Sequence, residues 1–239
     1  MFLSVLGFGM GNLKDSTLEK LADTGNGHYA YIDSLNEARK VLVEQVSSTL
    51  VTVAKDVKIQ VDFNPAKVEA YRLIGYENRA LRPEDFNDDL KDAGDMGAGH
   101  TVTALFEVVP RGDTVPGPSI DSSVFQPPAP RNPAPPASAS NDMLVLRVRY
   151  KLPDAATSTR MDVALADRGT AFQAADADFR FAAAVAAFGM ILKDSPYRGE
   201  ATLNWVLDAA TASRGADRGG YRDEFLSLVQ KAISLEPRK

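Results

Sequence analysis

The sequence predicts an α+β fold in three parts: a truncated α/β piece, an antiparallel β-sandwich-like region and a C-terminal helical bundle. Strand and helix patterns alternate over residues 1–48, apolar residues recur at every second position over residues 49–168, and they recur at helical spacing over residues 169–239. These three patterns also set the predicted domain boundaries.

The chain is predicted to open with a strand, a glycine-rich turn and a helix. Residues 2–6 are an apolar run that suits a buried strand, and the Gly7–Asn12 turn contains three glycines that can adopt positive φ. Asp15 or Ser16 can cap the helix that follows, and Gly25 stands where helices usually end.

A second strand and helix repeat this order. Residues 28–32 form the strand, and Ser34 caps a helix whose apolar residues, up to Val46, share one face. A β-α-β-α order is typical of a parallel sheet, which is normally paired and covered on both faces. Two strands are too few for that, so residues 1–48 are predicted to be weakly stable alone or to self-associate through the truncated sheet.

The middle of the chain is predicted to be antiparallel β structure. Alternation of apolar and polar residues is clear over residues 57–63, 102–108 and 144–150, and weaker over residues 67–76 and 160–166. Because these strands have one polar face and no long helix between them, an antiparallel sheet or sandwich is favoured.

A proline-rich segment interrupts this β region. Nine of the 14 prolines lie between Pro110 and Pro136. Such a stretch buries little apolar surface and lacks backbone donors, so a disordered loop is predicted over about residues 111–142. A proline-rich loop can also serve as a polyproline II ligand for a partner protein.

Three amphipathic helices are predicted near the C-terminus, and they are expected to form a small bundle. Asp176 or Asp178 caps the first helix, and Trp205 on the second is predicted to be a buried anchor. The residues predicted to face inward are Phe181, Val185, Phe188 and Leu192 on the first helix, Leu203, Val206, Leu207 and Ala210 on the second, and Tyr221, Phe225, Leu228, Val229 and Ala232 on the third.

The composition is that of an ordinary globular protein, with 44% hydrophobic and 25% charged residues. The net charge of −5 indicates no basic surface for nucleic acid, and no apolar run reaches the ~20 residues of a membrane span. The absence of cysteine excludes disulfides and thiolate metal sites but leaves the compartment open. The first residues lack the basic stretch of a signal peptide.

Seven strings, in order along the chain, are similar to those of a known family. They are LSVLGFGMGNLKD (3–15), LADTGNGHYAYID (21–33), AKDVKIQVDFNP (54–65), YRLIGYENR (71–79), DAGDMGAGHTVTAL (92–105), FRFAAAVAAFGMIL (179–192) and GYRDEFLSLV (220–229). They resemble the downstream half of bacterial von Willebrand factor type A (VWA) proteins, which carry a C-terminal domain of unknown function after the VWA fold.

The resemblance implies that residues 1–48 are the end of a Rossmann-like VWA domain and that the remainder is the family's accessory region. In the family, a DxSxS loop near the start of the VWA fold holds a metal ion. This chain contains no DxSxS, so the resemblance assigns no metal ligand to it. Family members are typically exported or attached to the cell envelope, and this location is implied here too.

An alternative function is a nucleotide-dependent enzyme or hydrolase that uses the Gly7–Asn12 loop. The loop follows a predicted strand, precedes a helix and imitates a dinucleotide-binding fingerprint, with Asp33 at the end of the next strand. Asn12 stands in place of the third glycine, however, and no further βαβ units follow. A structural turn is therefore favoured.

The acidic segment of residues 84–92 offers several oxygens to a calcium ion. Aligned with an EF-hand loop that starts at Asp85, Leu90 replaces the required glycine and Met96 the required glutamate. A solvated acidic turn is preferred, and calcium binding is left open.

No catalytic set can be assembled from the sequence. His28 and His100 each open a predicted strand, and no nucleophile or orienting group accompanies either. We therefore predict no catalytic, cofactor-binding or metal-ligating residue, no cofactor and no enzymatic activity. The preferred function is protein–protein recognition at the cell envelope with an unidentified partner; a purely structural role in an assembly is the other non-catalytic alternative.

Overall fold

The structure, a computed structural model, describes residues 3–9, 13–25, 27–45, 51–76, 81–115 and 140–236. Most of the predicted proline-rich loop and the end of the Gly7–Asn12 turn lie outside the described residues. The chain divides into two compact units, and neither is contiguous in sequence. Unit 1 comprises Met1–Asp62, Asn78–Val102 and Leu144–Leu165, and unit 2 comprises Phe63–Glu77, Thr103–Met143 and Ala166–Lys239.

Unit 1 begins with alternating strands and helices. β1 (Val5–Phe8) and β2 (Tyr29–Ile32) pair in parallel, and α1 (Asp15–Thr24) connects them. α2 (Leu35–Arg39) follows β2 and continues into a π-helical turn, Lys40–Glu44. The predicted element order of this segment is confirmed.

Two details at the start of unit 1 were predicted wrongly. β1 begins at Val5 because its pairing with β2 starts there, opposite Tyr29. Asp15 does not cap α1 but is its first residue, and no side chain caps the helix. The Asp15 carboxylate instead accepts a hydrogen bond from the Tyr29 hydroxyl, so a tertiary contact has replaced the local cap.

The helix after β2 keeps its predicted cap but not its predicted buried face. The Ser34 hydroxyl accepts a hydrogen bond from the Glu37 N–H at 3.2 Å. Leu35 and Leu42 are exposed, because a two-stranded parallel sheet offers little surface to cover a helix.

A second sheet in unit 1 has four strands in the order β5-β3-β7-β8. The strands are β3 (Thr52–Phe63), β5 (Gly94–Gly97), β7 (Leu144–Lys151) and β8 (Thr159–Leu165). β5 is antiparallel to β3, and β8 is antiparallel to β7. The antiparallel β structure expected from the alternating pattern is confirmed, although β3 starts earlier than the pattern predicted.

Unit 2 contains an antiparallel pair, β4 (Val68–Ile74) and β6 (Leu105–Pro110). Strand structure was predicted from residue 102, but the pairing stops at Leu105, opposite Ile74. Beyond it, the Tyr76 hydroxyl donates a hydrogen bond to the Thr103 carbonyl at 2.9 Å, so a side chain takes the place of the next backbone contact.

The described part of unit 2 also contains three α-helices: α3 (Ala177–Leu192), α4 (Leu203–Ala212) and α5 (Tyr221–Leu235). Asp176 caps α3 as predicted, with its carboxylate accepting from the Asp178 N–H at 2.8 Å. The buried centre of the three helices consists of Ala184, Ala187, Val206, Ala210 and Val229. Among the helices described, none is long and apolar enough to cross a membrane.

The inward-facing residues of these helices were predicted only in part. Four side chains predicted to be buried are exposed: Val185, Leu192, Trp205 and Leu228. The helical spacing was right, but α3 turns Ala184 and Ala187 towards its neighbours. Alanines allow close approach between helices, so the larger residues of α3 do not need to fill the centre.

Candidate functional site

The turn after β1 is filled by two tyrosines. The Tyr31 hydroxyl donates to the carbonyl of Gly9, which has a φ of +84°, at 2.7 Å. A Cβ added to Gly7 would come within 3.2 Å of the Tyr29 hydroxyl, which in turn donates to Asp15. A phosphate at the start of α1 would meet the Asp15 carboxylate, so the described part of this loop supports a structural turn.

The hydrogen bond to Asp15 raises the pKa of Tyr29 to about 12. Neutral Tyr29 therefore stabilises the fold fully below about pH 10, and this contribution is lost as the pH rises through about 12. Asp15→Asn is expected to return the pKa of Tyr29 towards 10.0, measured by NMR titration of the ring resonances. Asp23→Asn, on an exposed position of the same helix, is the control; equal values in both variants would contradict the assignment.

The acidic segment of residues 84–92 is held by lysines of the chain itself. Lys58 is only 3% exposed, and its ammonium group donates to the backbone carbonyls of Asp85, at 3.1 Å, and Asp88. Lys151 donates to the Asp89 carbonyl at 2.8 Å. The described residues contain no group of three or more His, Cys, Asp or Glu side chains that could hold a metal ion. Calcium binding therefore gains no support from this geometry.

Replacing Lys58 with methionine is expected to destabilise the chain by about 2–3 kcal/mol, because two backbone carbonyls lose the charged donor that the buried Lys58 supplies. Chemical denaturation monitored by circular dichroism measures the change. Lys55→Met, in the same strand, is the matched control and is expected to change stability by less than about 0.5 kcal/mol. If the two variants unfold at the same denaturant concentration, Lys58 does not hold the acidic segment.

Asp56 is the centre of a carboxylate–lysine cluster beside this segment. It lies at a bulge of β3 with a φ of +51°. Its carboxylate accepts from the Ala93 N–H at 3.2 Å and from the Lys151 ammonium at 2.5 Å, and its own N–H donates to Asp95 at 3.1 Å. These contacts tie β3, β7 and the chain around β5 together.

The surrounding groups shift the pKa values of Asp56 and Asp92 in opposite directions. Partial burial alone would raise the pKa of Asp56, but hydrogen bonds from Lys151 and Ala93 outweigh it and hold the pKa below its usual range. Partial burial, and then the neighbouring Asp56 carboxylate, raise the pKa of Asp92. Divergent pKa values can serve acid–base catalysis. Here, however, the Asp56 carboxylate accepts hydrogen bonds from the Ala93 N–H and the Lys151 ammonium, and these links between segments of the chain support a structural role.

The two histidines, far apart in sequence, lie beside each other in unit 1. The ring centroids of His28 and His100 are 5.6 Å apart, with the planes tilted by 45°. His100 does not open a strand as predicted: its backbone N–H donates to the Gly97 carbonyl at 3.1 Å in the turn after β5. No local sequence signal could have predicted this contact, because it depends on the packing of distant segments.

Unit 2 contains an open groove of about 640 Å³ between the β4–β6 pair and α3. This volume is within the range of about 300–1,000 Å³ that is usual for ligand pockets. The helix contributes Ala182, Val185, Ala186, Gly189 and Met190, and the strands contribute Ile74 and Leu105. The polar lining residues are Arg72, Thr103, Lys193 and Ser195.

Arg72 gives the groove a positively charged group with a fixed orientation. Its Nε donates to Glu107 at 2.5 Å, and its guanidinium lies 4.5 Å from the centre of the Tyr197 ring. Nη2 also lies 3.3 Å from the Met190 sulfur and 3.4 Å from the Tyr197 carbonyl. The groove can therefore accept an apolar group and, beside it, an oxygen acceptor.

Gly189 has no side chain and therefore leaves space on the side of α3 that lines the groove. Glycine inside a helix is about 0.5–1 kcal/mol less favourable than alanine. A Cβ at Gly189 would meet no atom within 4 Å, so internal packing does not explain the glycine. The groove was not predicted from the sequence, where its signal is the spacing of Ala182, Ala186 and Gly189 along one side of a helix.

Comparison with known proteins identifies a family and a relative that together match nearly the whole chain. The family model described as "Uncharacterized protein YfbK, C-terminal" matches residues 48–235. The "Uncharacterized protein YfbK" of Escherichia coli (strain K12) is 41% identical over 230 residues, which cover 96% of this chain and 38% of that protein. The chain thus spans well under half the length of this curated relative, and no solved structure matches it. It belongs to the family of YfbK C-terminal domains.

Proposed function

We propose that this chain is a non-catalytic accessory region of a longer bacterial VWA protein at the cell envelope, and that the groove of unit 2 docks an apolar segment of a partner protein. The main support for docking is the groove itself, which has a volume of about 640 Å³, small side chains on the α3 side and few polar groups. Apolar grooves of this kind are typical docking sites for a segment of another protein.

The lining of the groove indicates the chemistry of its occupant. Ala186 and Gly189 allow the backbone of a bound segment to approach α3, and Ile74 and Leu105 offer apolar contacts on the other side. Arg72 can donate to an oxygen beside the apolar contacts. The proposed occupant is therefore an apolar stretch of a partner protein with a carbonyl or carboxylate oxygen next to it.

Two observations support the VWA assignment of residues 1–48. The curated relative is much longer than this chain, which covers 38% of it. Among the described residues, β1 and β2 form a two-stranded parallel sheet, whereas parallel sheets are normally larger. Within the longer protein, β1–β2 would lie in the VWA sheet, and residues 49–168 would be the sandwich-like accessory domain.

Hydrogen exchange tests this assignment. In the dilute 239-residue chain, the amides of Leu3–Leu6 are expected to exchange faster than those of Val57–Phe63, because β1 has β2 as its one strand partner in the described residues, whereas β3 lies inside a four-stranded sheet. Equal protection in both segments would contradict the assignment.

Site-specific photo-crosslinking tests the groove. A photoreactive residue at Val185, which is exposed on α3 within the groove, is expected to crosslink one partner in cells, and mass spectrometry identifies the partner and the crosslinked segment. The proposal requires that the crosslinked segment be apolar. Binding of the purified partner is then measured by calorimetric titration.

Gly189→Leu supplies the decisive comparison. A Cβ at Gly189 meets no atom within 4 Å, so a leucine side chain there has room to enter the groove that Gly189 lines. The affinity is expected to fall at least about tenfold, which corresponds to a loss of about 1.4 kcal/mol. Asn204→Leu adds the same side chain to an exposed position of α4 and should leave the affinity unchanged. Equal affinities of the two variants would exclude the groove, and nucleotide binding that Gly9→Val abolishes would support the enzyme alternative instead.

A further inference from the structure

The four-stranded sheet of unit 1 ends in an apolar strand with an open side. β8 pairs with β7 and with no second strand in the described part of the chain. All seven of its residues are exposed, and Met161, Val163 and Leu165 on one face are 50%, 45% and 52% exposed. Apolar edge strands of this kind are uncommon in monomers, because their unpaired N–H and C=O groups bind another strand.

The other face of β8 carries one charge of each sign. Arg160 and Asp162 form an ion pair at 2.5 Å along the strand, and both side chains are exposed. Two antiparallel copies of a strand related by a two-fold axis place residues on either side of the axis opposite each other. A strand with a positive residue immediately before the axis and a negative residue immediately after it is therefore complementary to itself.

We propose that β8 pairs in antiparallel orientation with β8 of a second copy of this chain, with the two-fold axis at Met161. Arg160 of each copy then lies opposite Asp162 of the other, and Met161 lies opposite its own copy. An axis at Arg160 or at Asp162 would place like charges opposite each other, which destabilises a strand pair. An axis at Val163 would place both charged residues opposite alanines.

The pairing joins the two four-stranded sheets into one sheet of twice the width. It satisfies the open backbone edge of β8, and it lines up the apolar face of β8 with that of its copy. β5, at the opposite edge of the sheet, is a poorer candidate because it has only four residues, two of them glycine. This contact is independent of the groove and of the β1–β2 sheet.

Charge substitutions test the pairing and its register together. Sedimentation velocity of the purified 239-residue chain should show a concentration-dependent monomer–dimer equilibrium. Arg160→Asp alone and Asp162→Arg alone should each weaken it more than about tenfold, because each places two pairs of like charges opposite each other. An equimolar mixture of the two variants should form a heterodimer, since opposite charges face each other again. Because each chain in the mixture still lacks its own internal ion pair, a monomer effect cannot explain this rescue.

A chain that stays monomeric at all concentrations would overturn the proposal. Single variants that dimerise as well as the unsubstituted chain would overturn it too, because the dimer would then use another surface. Failure of the mixture to dimerise, while circular dichroism shows both variants folded, would exclude this register.

A cysteine crosslink gives a second test that does not depend on the charge variants folding. The chain has no cysteine, so Met161→Cys introduces a single thiol. At the two-fold axis its copy would be about 4.5–5.5 Å away between Cα atoms, which suits a disulfide. Met161→Cys should form disulfide-linked dimers under mild oxidation much faster than Leu90→Cys, whose position is also exposed. Equal rates would contradict the pairing.

Discussion

Replacing Val206 with aspartate is expected to unfold the helical part of unit 2. Val206 is 0% exposed and lies in the buried centre of the three helices with Ala184, Ala210 and Val229. A carboxylate there would lose its hydration among apolar neighbours and gain no ion-pair partner from them. We expect destabilisation of more than about 4 kcal/mol, which is a large share of the roughly 5–15 kcal/mol that stabilises a typical domain.

Circular dichroism and urea denaturation measure this effect. Val206→Asp should lose a large part of the helical signal, and Val206→Ala should fold with a stability reduced by roughly 1–3 kcal/mol, because it leaves only a small cavity. Asn204→Asp introduces the same carboxylate at an exposed position of the same helix and should change little. A native helical signal and denaturation midpoint in Val206→Asp would show that this position is not buried.

Replacing Phe86 with alanine is expected to destabilise the chain by about 3–5 kcal/mol and to loosen the acidic segment. Phe86 ends a short 3-10 helix, Pro83–Phe86, and is only 4% exposed. The Arg149 guanidinium lies 5.9 Å from the centre of its ring. Phe86 thus supplies the apolar anchor for a segment whose polar atoms are held by Lys58 and Lys151.

Hydrogen exchange and urea denaturation distinguish a buried anchor at Phe86 from a surface contact. Phe86→Ala should increase exchange at the amides of residues 84–92 and lower the midpoint of unfolding. Leu90→Ala is the matched control, because Leu90 belongs to the same segment but is 95% exposed, and we expect a change of less than about 0.5 kcal/mol. If both variants behave alike, Phe86 does not anchor the segment.

The secondary structure was largely predictable because its signals are local. Period-two alternation identified β3, β4, β6, β7 and β8, although it did not identify the short strand β5. Helical spacing identified α3, α4 and α5. Ser34 and Asp176 cap their helices as predicted, since a cap requires only neighbouring residues. The predicted cap of α1 was wrong, because the Asp15 carboxylate accepts a hydrogen bond from the distant Tyr29 hydroxyl instead of from the helix backbone.

The candidate site was not predictable in the same way. The small residues of α3 were visible in the sequence, but the groove exists only because the β4–β6 pair lies beside them. The acidic segment suggested calcium, because the sequence does not show that Lys58 lies against its carbonyl oxygens. The sequence alone also does not show which strand ends the four-stranded sheet.

The sequence by itself determined the order and type of most elements, the β-α-β start, the antiparallel region and the membership in the YfbK C-terminal family. These properties are encoded in short-range periodicity or in residue identity along the chain. Only the tertiary structure decided that Val185 faces solvent, that Lys58 is buried and that β8 lies at the edge of its sheet among the described strands. Burial, charge pairing and strand order depend on contacts between residues far apart in sequence, and no local pattern specifies those contacts.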